Sequence, residues 1–242
     1  GKTVQIYDQT KGAEGVVLSE GVLFVRVGES ALRAVDADTG EVLWQVERPV
    51  VKLSLAADSE RVVFMSEDRL VCLDREDGRL RWESEQLPRP DKYTTRSGPT
   101  LILYEDLVLL ASSEFASGGN RSWKVGKPDT LSVLSAADGE LLWKGPHPLS
   151  GYASTEDLFV IDDVVWCGET TSGHAEGTFI GRDAKTGEVT GKFEPDVQTY
   201  WFHHRCHRSK ATQRYILTSR TGIEFVDFEN EHWDINHWVR GA

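Results

Sequence analysis

Cysteine is scarce in this chain: three residues in 242, Cys72, Cys167 and Cys206, no two of them adjacent. An odd and widely separated set builds neither a disulfide framework nor a Cys-x-x-Cys metal pair, and at most one bridge can form. Long apolar runs are missing as well. A stretch such as Leu107 to Ala111 falls far short of the roughly 20 residues that a membrane-spanning helix needs, so no segment is expected to cross a bilayer. Positive charge is in the minority, with 27 Lys and Arg against 39 Asp and Glu and a net charge of −12. Such a surface repels phosphate backbones, which argues against general nucleic-acid binding except at a local basic patch. The chain opens at Gly1 with no Met, no apolar signal segment and no Arg-rich presequence, and reads as an excerpt whose targeting peptide would lie upstream. Catalytic signatures are lacking too: there is no Gly-x-Ser-x-Gly, phosphate loop or Rossmann glycine pattern. The adjacent acids Glu156-Asp157 and Asp162-Asp163 would point to opposite faces of a strand and cannot work as a pair on one substrate. What remains is an ordinary globular composition, 39% hydrophobic and 10% aromatic, on a length that can bury a substantial core.

Repetition is what the sequence does contain. Residues 31–44 (ALRAVDADTGEVLW), 69–82 (RLVCLDREDGRLRW), 130–143 (TLSVLSAADGELLW) and 178–191 (TFIGRDAKTGEVTG) align without a gap. Gly40, Gly78, Gly139 and Gly187 share one column. Asp36, Asp74 and Asp183 share another, with Ser135 in the third copy; Trp44, Trp82 and Trp143 close the unit, with Gly191 in the fourth. A decayed fifth copy emerges when residues 214–227 are laid on 61–74, so that Asp227 matches Asp74 and Glu229-Asn230-Glu231 replaces the glycine turn. Asp8 and Gly12 keep the same spacing and suggest a fragment of a further copy.

Each unit reads as three strands. A β-branched run (Val22 to Val27, Arg61 to Met65) turns into an alternating run (Leu32 to Val35, Leu70 to Leu73), and a third strand carries the Trp. Between the last two, the Asp side chain can bond the following amides while the Gly supplies a positive φ. A fourth strand is expected from the stretch before each unit, for instance Val50 to Leu55. Four antiparallel strands recurring every ~40 to 60 residues predict an all-β chain of β-propeller blades. About five blades are expected, over residues 15–56, 57–97, 98–150, 151–198 and 199–242. The repeated Trp would fill the gap between neighbouring blades, an architectural task. No strand is visible that would close a ring, and open sheet edges invite pairing, so further blades are expected in the parent protein.

At Asp36, Thr39, Gly40 and Trp44 the sequence resembles the PQQ-like (quinoprotein dehydrogenase-like) β-propeller repeat family, whose unit runs roughly apolar-x-Ala-Leu-Asp-x-x-Thr-Gly-x-x-x-Trp. The resemblance covers residues 15 to 227 and is strongest to bacterial scaffold-type members such as the outer-membrane barrel-assembly lipoprotein. It implies a propeller that is often eight-bladed and a place in the periplasm or cell envelope. It also implies one of two roles, a non-catalytic scaffold or a quinone-dependent alcohol or glucose dehydrogenase. The dehydrogenases resemble one another in an adjacent Cys-Cys disulfide over the quinone, a Ca²⁺ held by Glu, Asn and Asp oxygens, and an Asp base. None of these can be matched residue by residue here, so ligand motifs support neither PQQ nor a metal as cofactor, and catalytic residues are not assigned. The expectation is a protein- or ligand-binding scaffold, with a quinone- or metal-dependent oxidoreductase as the alternative and a lectin-like sugar- or peptide-binding module as a third class that the length permits.

Two regions could carry binding. Long loops between the first two strands of the third and fourth units, Ser112 to Asp129 and Gly168 to Gly177, would build one rim, where Phe115, Arg121, Trp123 and His174 could meet a protein partner. The second is Tyr200 to Arg220, which has five Lys and Arg and no acid. Aligned on Val50 to Leu55, His203 to Arg208 would form an innermost strand. His203, Arg205 and His207 would then face one way, suited to a small anion such as phosphate or carboxylate, and His204, Cys206 and Arg208 the other. His204 with Cys206, or His203 with His207, supplies only part of a metal-ligand set. The bland reading pairs these cations with acids of neighbouring blades.

Overall fold

A computed structural model describes residues 6–89, 98–112, 129–147, 158–168, 178–194, 209–218 and 223–236. Apart from one 3-10 turn at Asp8–Thr10, the regular elements among these residues are all strands, grouped into five four-stranded antiparallel sheets of the β-propeller blade type. Sheet one holds β1 (Ala13–Ser19), β2 (Val22–Val27), β3 (Ala31–Asp36) and β4 (Val42–Val46); sheet two holds β5 (Leu55–Ala57), β6 (Arg61–Ser66), β7 (Arg69–Asp74) and β8 (Leu80–Glu83). Sheet three follows with β9 (Thr100–Tyr104), β10 (Leu107–Ser112), β11 (Asp129–Ser135) and β12 (Leu141–His147). Sheet four has β13 (Leu158–Ile161), β14 (Val164–Gly168), β15 (Phe179–Asp183) and β16 (Val189–Phe193); sheet five has β17 (Lys210–Ala211), β18 (Tyr215–Thr218), β19 (Ile223–Asp227) and β20 (His232–Asn236). In every sheet spatial order follows chain order.

Two expectations need correction. The first strand of sheet two is Leu55–Ala57, not Val50 to Leu55; Val50–Ser54 is the crossing from sheet one, and Leu53 takes a left-handed φ of 63° there. Asp8 and Gly12 do flank a turn, but it leads into β1, the first strand of sheet one, rather than into an outer strand. The fragment is therefore not a further copy of the repeat turn.

Contacts divide the chain into two compact units. One comprises Gly1–Pro88, Leu101–Leu109 and Leu134–Leu141, and a core cluster in it joins Phe24, Leu32, Trp44, Phe64 and Leu73 with their neighbours. The other comprises Arg89–Thr100, Leu110–Val133 and Leu142–Ala242, with a core of Ile161, Trp166, Phe179, Phe193, Ile216, Val226 and Trp233. The middle strands are buried on both faces, as Val62 to Met65 in β6 and Leu70 to Leu73 in β7 show. The outer strands alternate: in β8 only Trp82 is buried, between exposed neighbours.

The Asp column does what its chemistry allows. Asp36 Oδ1 accepts from the amides of Asp38 (3.0 Å) and Thr39 (2.7 Å), and Asp183 Oδ1 from Lys185 (2.9 Å) and Thr186 (2.7 Å). Asp74 accepts from Glu76 N (2.8 Å) and also holds the Arg81 guanidinium. Ser135, standing in for Asp, accepts only weakly from Ala137 N at 3.3 Å. The residue after each of these ties the turn to the first hairpin of its own sheet: Ala37 N to Gly21 O (2.8 Å), Arg75 N to Glu60 O (3.1 Å), Ala136 N to Asp106 O (2.8 Å) and Ala184 N to Asp163 O (2.9 Å).

The carbonyl of that same residue receives the indole of the preceding sheet. Trp44 donates Nε1–H to Arg75 O (2.8 Å), Trp82 to Ala136 O (2.9 Å) and Trp143 to Ala184 O (2.9 Å). Each ring lies flat on the turn glycine of the sheet it reaches. A Cβ placed on Gly78 would sit 2.8 Å from Trp44, and one on Gly139 2.5 Å from Trp82, with φ of +71° and +77° besides. On sheet one the equivalent carbonyl receives a phenol instead, for Tyr7 donates its hydroxyl to Ala37 O. The Trp column is thus a row of interlocks, in which the donor lies on one sheet and the acceptor and socket on the next.

Trp82→Ala removes a side chain that is 7% exposed and strands the Ala136 carbonyl, so urea unfolding should show a loss of about 3–5 kcal/mol. Trp82→Phe keeps most of the packing and forfeits the hydrogen bond, so its loss should be nearer 1 kcal/mol beyond the volume change. The turn carboxylates give the fold a pH dependence of fixed direction. The Thr39 amide and hydroxyl hold Asp36 below the ordinary carboxylate value, the Arg81 guanidinium and the Glu76 amide hold Asp74 down, and Thr186 does the same for Asp183. An unfolded Asp titrates near about 3.9, so the unfolded chain takes up protons first. The contribution is complete above that value and is lost as pH falls through the lower folded values. Urea midpoints should hold level from pH 7 to about 5 and fall below about 4. Asp74→Asn should be less stable at pH 7 yet lose less between pH 5 and pH 3.

Candidate functional site

The residues that the sequence nominates for binding, His203, Arg205, His207, Arg208, Arg121 and Trp123, and for metal, His204 and Cys206, lie outside the described residues. So do Phe115, His174 and most of both long rim loops. The ten repeat residues are all described. Asp36, Asp74, Asp183, Gly40, Gly78, Gly139, Gly187, Trp44, Trp82 and Trp143 stand in turns and seams. The expected strand at His203 to Arg208 rests on Val50 to Leu55, which is mostly crossing in sheet two. The first strand of sheet five begins at Lys210. The strand alternation that put His203, Arg205 and His207 on one face therefore loses its template.

The crossing itself is informative, because its polar groups are defined between sheets one and two. Arg26, on β2 and 9% exposed, donates from Nε to Val50 O at 2.7 Å and meets the Glu14 carboxylate with Nη1. Glu14 can reach it because β1 bulges between Ala13 and Gly15. Two residues past Val50 stands Lys52, half-buried, whose ammonium is pushed toward neutrality first by burial and then by the Arg26 charge. Two cations and one carboxylate thus share the end of sheet one opposite the Asp turns. In the gap-free alignment of units two and five, Lys52 falls on Arg205, Val50 on His203 and Ser54 on His207. Such a crossing can hold a carboxylate or phosphate by charge-assisted hydrogen bonds.

Other charged groups are consumed in the architecture. Arg75, only 8% exposed, donates to Asp58 O (2.6 Å), Ser19 O (2.6 Å), Ser19 Oγ (3.2 Å) and Glu20 O (3.3 Å), and its guanidinium lies 5.3 Å from the Phe24 ring centre. A buried cation is tolerated there because carbonyl dipoles replace its water. The sequence does give a signal for it: the column reads Ala37, Arg75, Ala136, Ala184 and Phe228, and Arg75 is its charged member. On sheet five, burial pushes the Asp227 carboxyl up, but bonds from Asn230 and Arg214 outweigh it and leave the group below the ordinary value. Burial drives the Cys72 thiol up to about 12, so it holds its proton at neutral pH and is a poor nucleophile. Among the described residues no three His, Cys, Asp or Glu side chains converge as a metal site would require, and no helix is long and apolar enough to cross a membrane.

Comparison with known proteins places this geometry. Residues 3–120 match the family model described as outer membrane protein assembly factor BamB. The quinoprotein alcohol dehydrogenase PedH of Pseudomonas putida is 27% identical over 203 residues, 77% of this chain and 31% of that protein. Among solved structures, BamB from Moraxella catarrhalis superposes with a TM-score of 0.59 at 13% identity, over 91% of this chain and 59% of that one. Quinohemoprotein alcohol dehydrogenase from Comamonas testosteroni gives 0.57 at 12% identity, over 90% and 42%. The chain thus spans about a third of the length of PedH. With its five four-stranded antiparallel sheets the chain has the propeller-blade fold of these proteins and is similar to the PQQ-like β-propeller repeat family, which holds both the BamB scaffold and the quinoprotein dehydrogenases.

Proposed function

We propose that this chain is a non-catalytic binding scaffold that engages a protein partner, or an acidic ligand, through the ends of the sheets opposite the Asp turns. One observation carries the reading. The Asp and Trp side chains of the repeat are spent on turns and seams, whereas at the crossing Arg26, paired with Glu14, and Lys52 set two cations beside one carboxylate. The description of the matching family model as an assembly factor agrees with such a role. The alignment of Arg205 with Lys52 extends it to the crossing into sheet five, where His203 and His207 would flank the cation. The cluster His203, Arg205, His207 and Arg208 is therefore proposed as an anion-binding segment, and the rim loop with Arg121 and Trp123 as a contact for the protein partner.

The similarity to quinone alcohol dehydrogenases favours a second reading, an oxidoreductase using the His203 to His207 cluster. The two separate on reconstitution. The scaffold predicts that incubation with PQQ and Ca²⁺ leaves no bound quinone absorbance after desalting and no reduction of an artificial dye with primary alcohols. Stoichiometric quinone together with turnover would overturn it.

Anion binding is tested separately with inorganic phosphate. Millimolar phosphate should raise the thermal midpoint by a few degrees, as expected when a ligand at several times its Kd binds only the folded state. Arg205→Ala should abolish the rise and Lys52→Ala should reduce it. An unshifted midpoint in the unaltered chain would leave these cations with a purely structural task.

A further inference from the structure

The seam between sheets four and five departs from the others at every point of the interlock. Where Trp44, Trp82 and Trp143 stand, sheet four has Gly191; where the socket glycine stands, sheet five has Glu231, held at a φ of 53°. The indole has not vanished but moved. Across sheet one the row reads Phe24, Ala34, Trp44, and across sheet two Val63, Cys72, Trp82; across sheet four it reads Trp166, Gly181, Gly191. Trp166 thus stands on the second strand and lies over two glycines. A Cβ on Gly181 would come within 2.8 Å of its ring, and one on Gly191 within 3.4 Å.

From that position Trp166 packs on Phe228 of sheet five (ring centres 5.6 Å apart) and on Phe193 of its own sheet (5.9 Å). Phe179 packs edge-on against Trp233 of sheet five at 5.5 Å. Among the described residues Trp166 makes no indole-to-carbonyl bond like those of Trp44, Trp82 and Trp143. Nor does the sheet-five turn carry the tie to its own first hairpin that Ala37, Arg75, Ala136 and Ala184 make through their amides. The β19–β20 ladder also runs without the bulge found in sheets one, two and four.

We infer that sheet five is a separately releasing unit: the seam between sheets four and five parts first, and β18, β19 and β20 open together while sheets one and two stay folded. The argument is physical. An indole bonded to a backbone carbonyl over a glycine fixes distance and rotation at once. Contact between aromatic rings has only a broad geometric preference, offset or edge-on with ring centres anywhere from about 4.5 to 7 Å apart, so it permits sliding and yields without breaking a hydrogen bond. Segments that open below the global free energy are those with fewer such fixed contacts.

Hydrogen exchange on the full chain, resolved by peptide, tests this. Peptides covering Tyr215–Thr218, Ile223–Asp227 and His232–Asn236 should share one level of protection, at least about tenfold below that of Arg61–Asp74, as expected for a sub-global opening. Trp166→Ala should lower protection in sheet five by a further factor of about ten while leaving Arg61–Asp74 within about twofold. Should that variant fail to fold, Trp166→Phe serves the same comparison. Protection in sheet five equal to that of β6 and β7 would overturn the inference. So would a graded decline toward His232–Asn236 in place of a common level, or a Trp166 variant that lowers both regions alike.

Discussion

One contact sets the terms for the rest: an indole laid flat on the turn glycine of the next sheet, its N–H bonded to the carbonyl four residues before that glycine's successor. It demands two unlike residues on two different repeats. The donor must be large, flat and able to give a hydrogen bond from its edge, which selects Trp over Phe. The acceptor turn must bring backbone within van der Waals reach of a ring and take a positive φ, and glycine meets both demands at once. At Gly78 and Gly139 the space beside the α-carbon is occupied by the ring itself. A sheet cannot rotate about its neighbour without breaking this bond. Seam geometry is thereby set by local chemistry, to which the partly exposed Arg48–Glu83 ion pair between sheets one and two adds little.

The Asp column serves the same contact at one remove. By holding amides two and three residues ahead, Asp36, Asp74 and Asp183 set the turn that presents the accepting carbonyl and the socket. Those residues are half-buried at the sheet edge, and a hydrogen bond open to water contributes modestly to stability. Their value lies in positioning. It follows that the residues which define the repeat are poor candidates for recognition, since altering them would disturb the seam. Recognition chemistry must be sought where the repeat pattern is silent, in the crossings and the rim loops. Arg26 and Lys52 stand in such a place.

Much of this was legible in the sequence and some was not, for definable reasons. The strands, the Asx-type turns and the role of Trp44, Trp82 and Trp143 follow from a recurring pattern, because a repeated polar residue beside a repeated glycine has few other uses. The first strand of each sheet was harder to place. Leu55–Ala57 is three residues long and Lys210–Ala211 two, too short for alternation to register against a β-branched crossing such as Val50-Val51. Tyr7 escaped notice because its partner, the Ala37 carbonyl, is backbone and leaves no trace in side-chain patterns. Trp166 escaped because it lies outside the column where Trp was expected, and only the strand register shows that it shares a row with Gly191. The cations at the crossing were invisible for a different cause: Arg26 and Lys52 are 26 residues apart, and Arg26 reaches the crossing through a bond to a backbone carbonyl, that of Val50.

The relocation of Trp166 shows how the two halves of the interlock depend on each other. A donor on one repeat and a socket on the next have no independent purpose, so once the donor is absent, nothing requires glycine in the facing turn. Gly191 and Glu231 are the two vacated halves of one seam, and they occur together. The indole missing from the outer strand stands two strands inward, where Gly181 in place of Ala34 or Cys72 makes room for the ring. Burial of a Trp is worth several kcal/mol whether or not its N–H finds a carbonyl, since about 150–250 Å² leaves water either way. One buried indole is thus kept in the row while directional fixation is given up. A repeat architecture can in this way hold its sheets together at every seam and still leave one of them free to move.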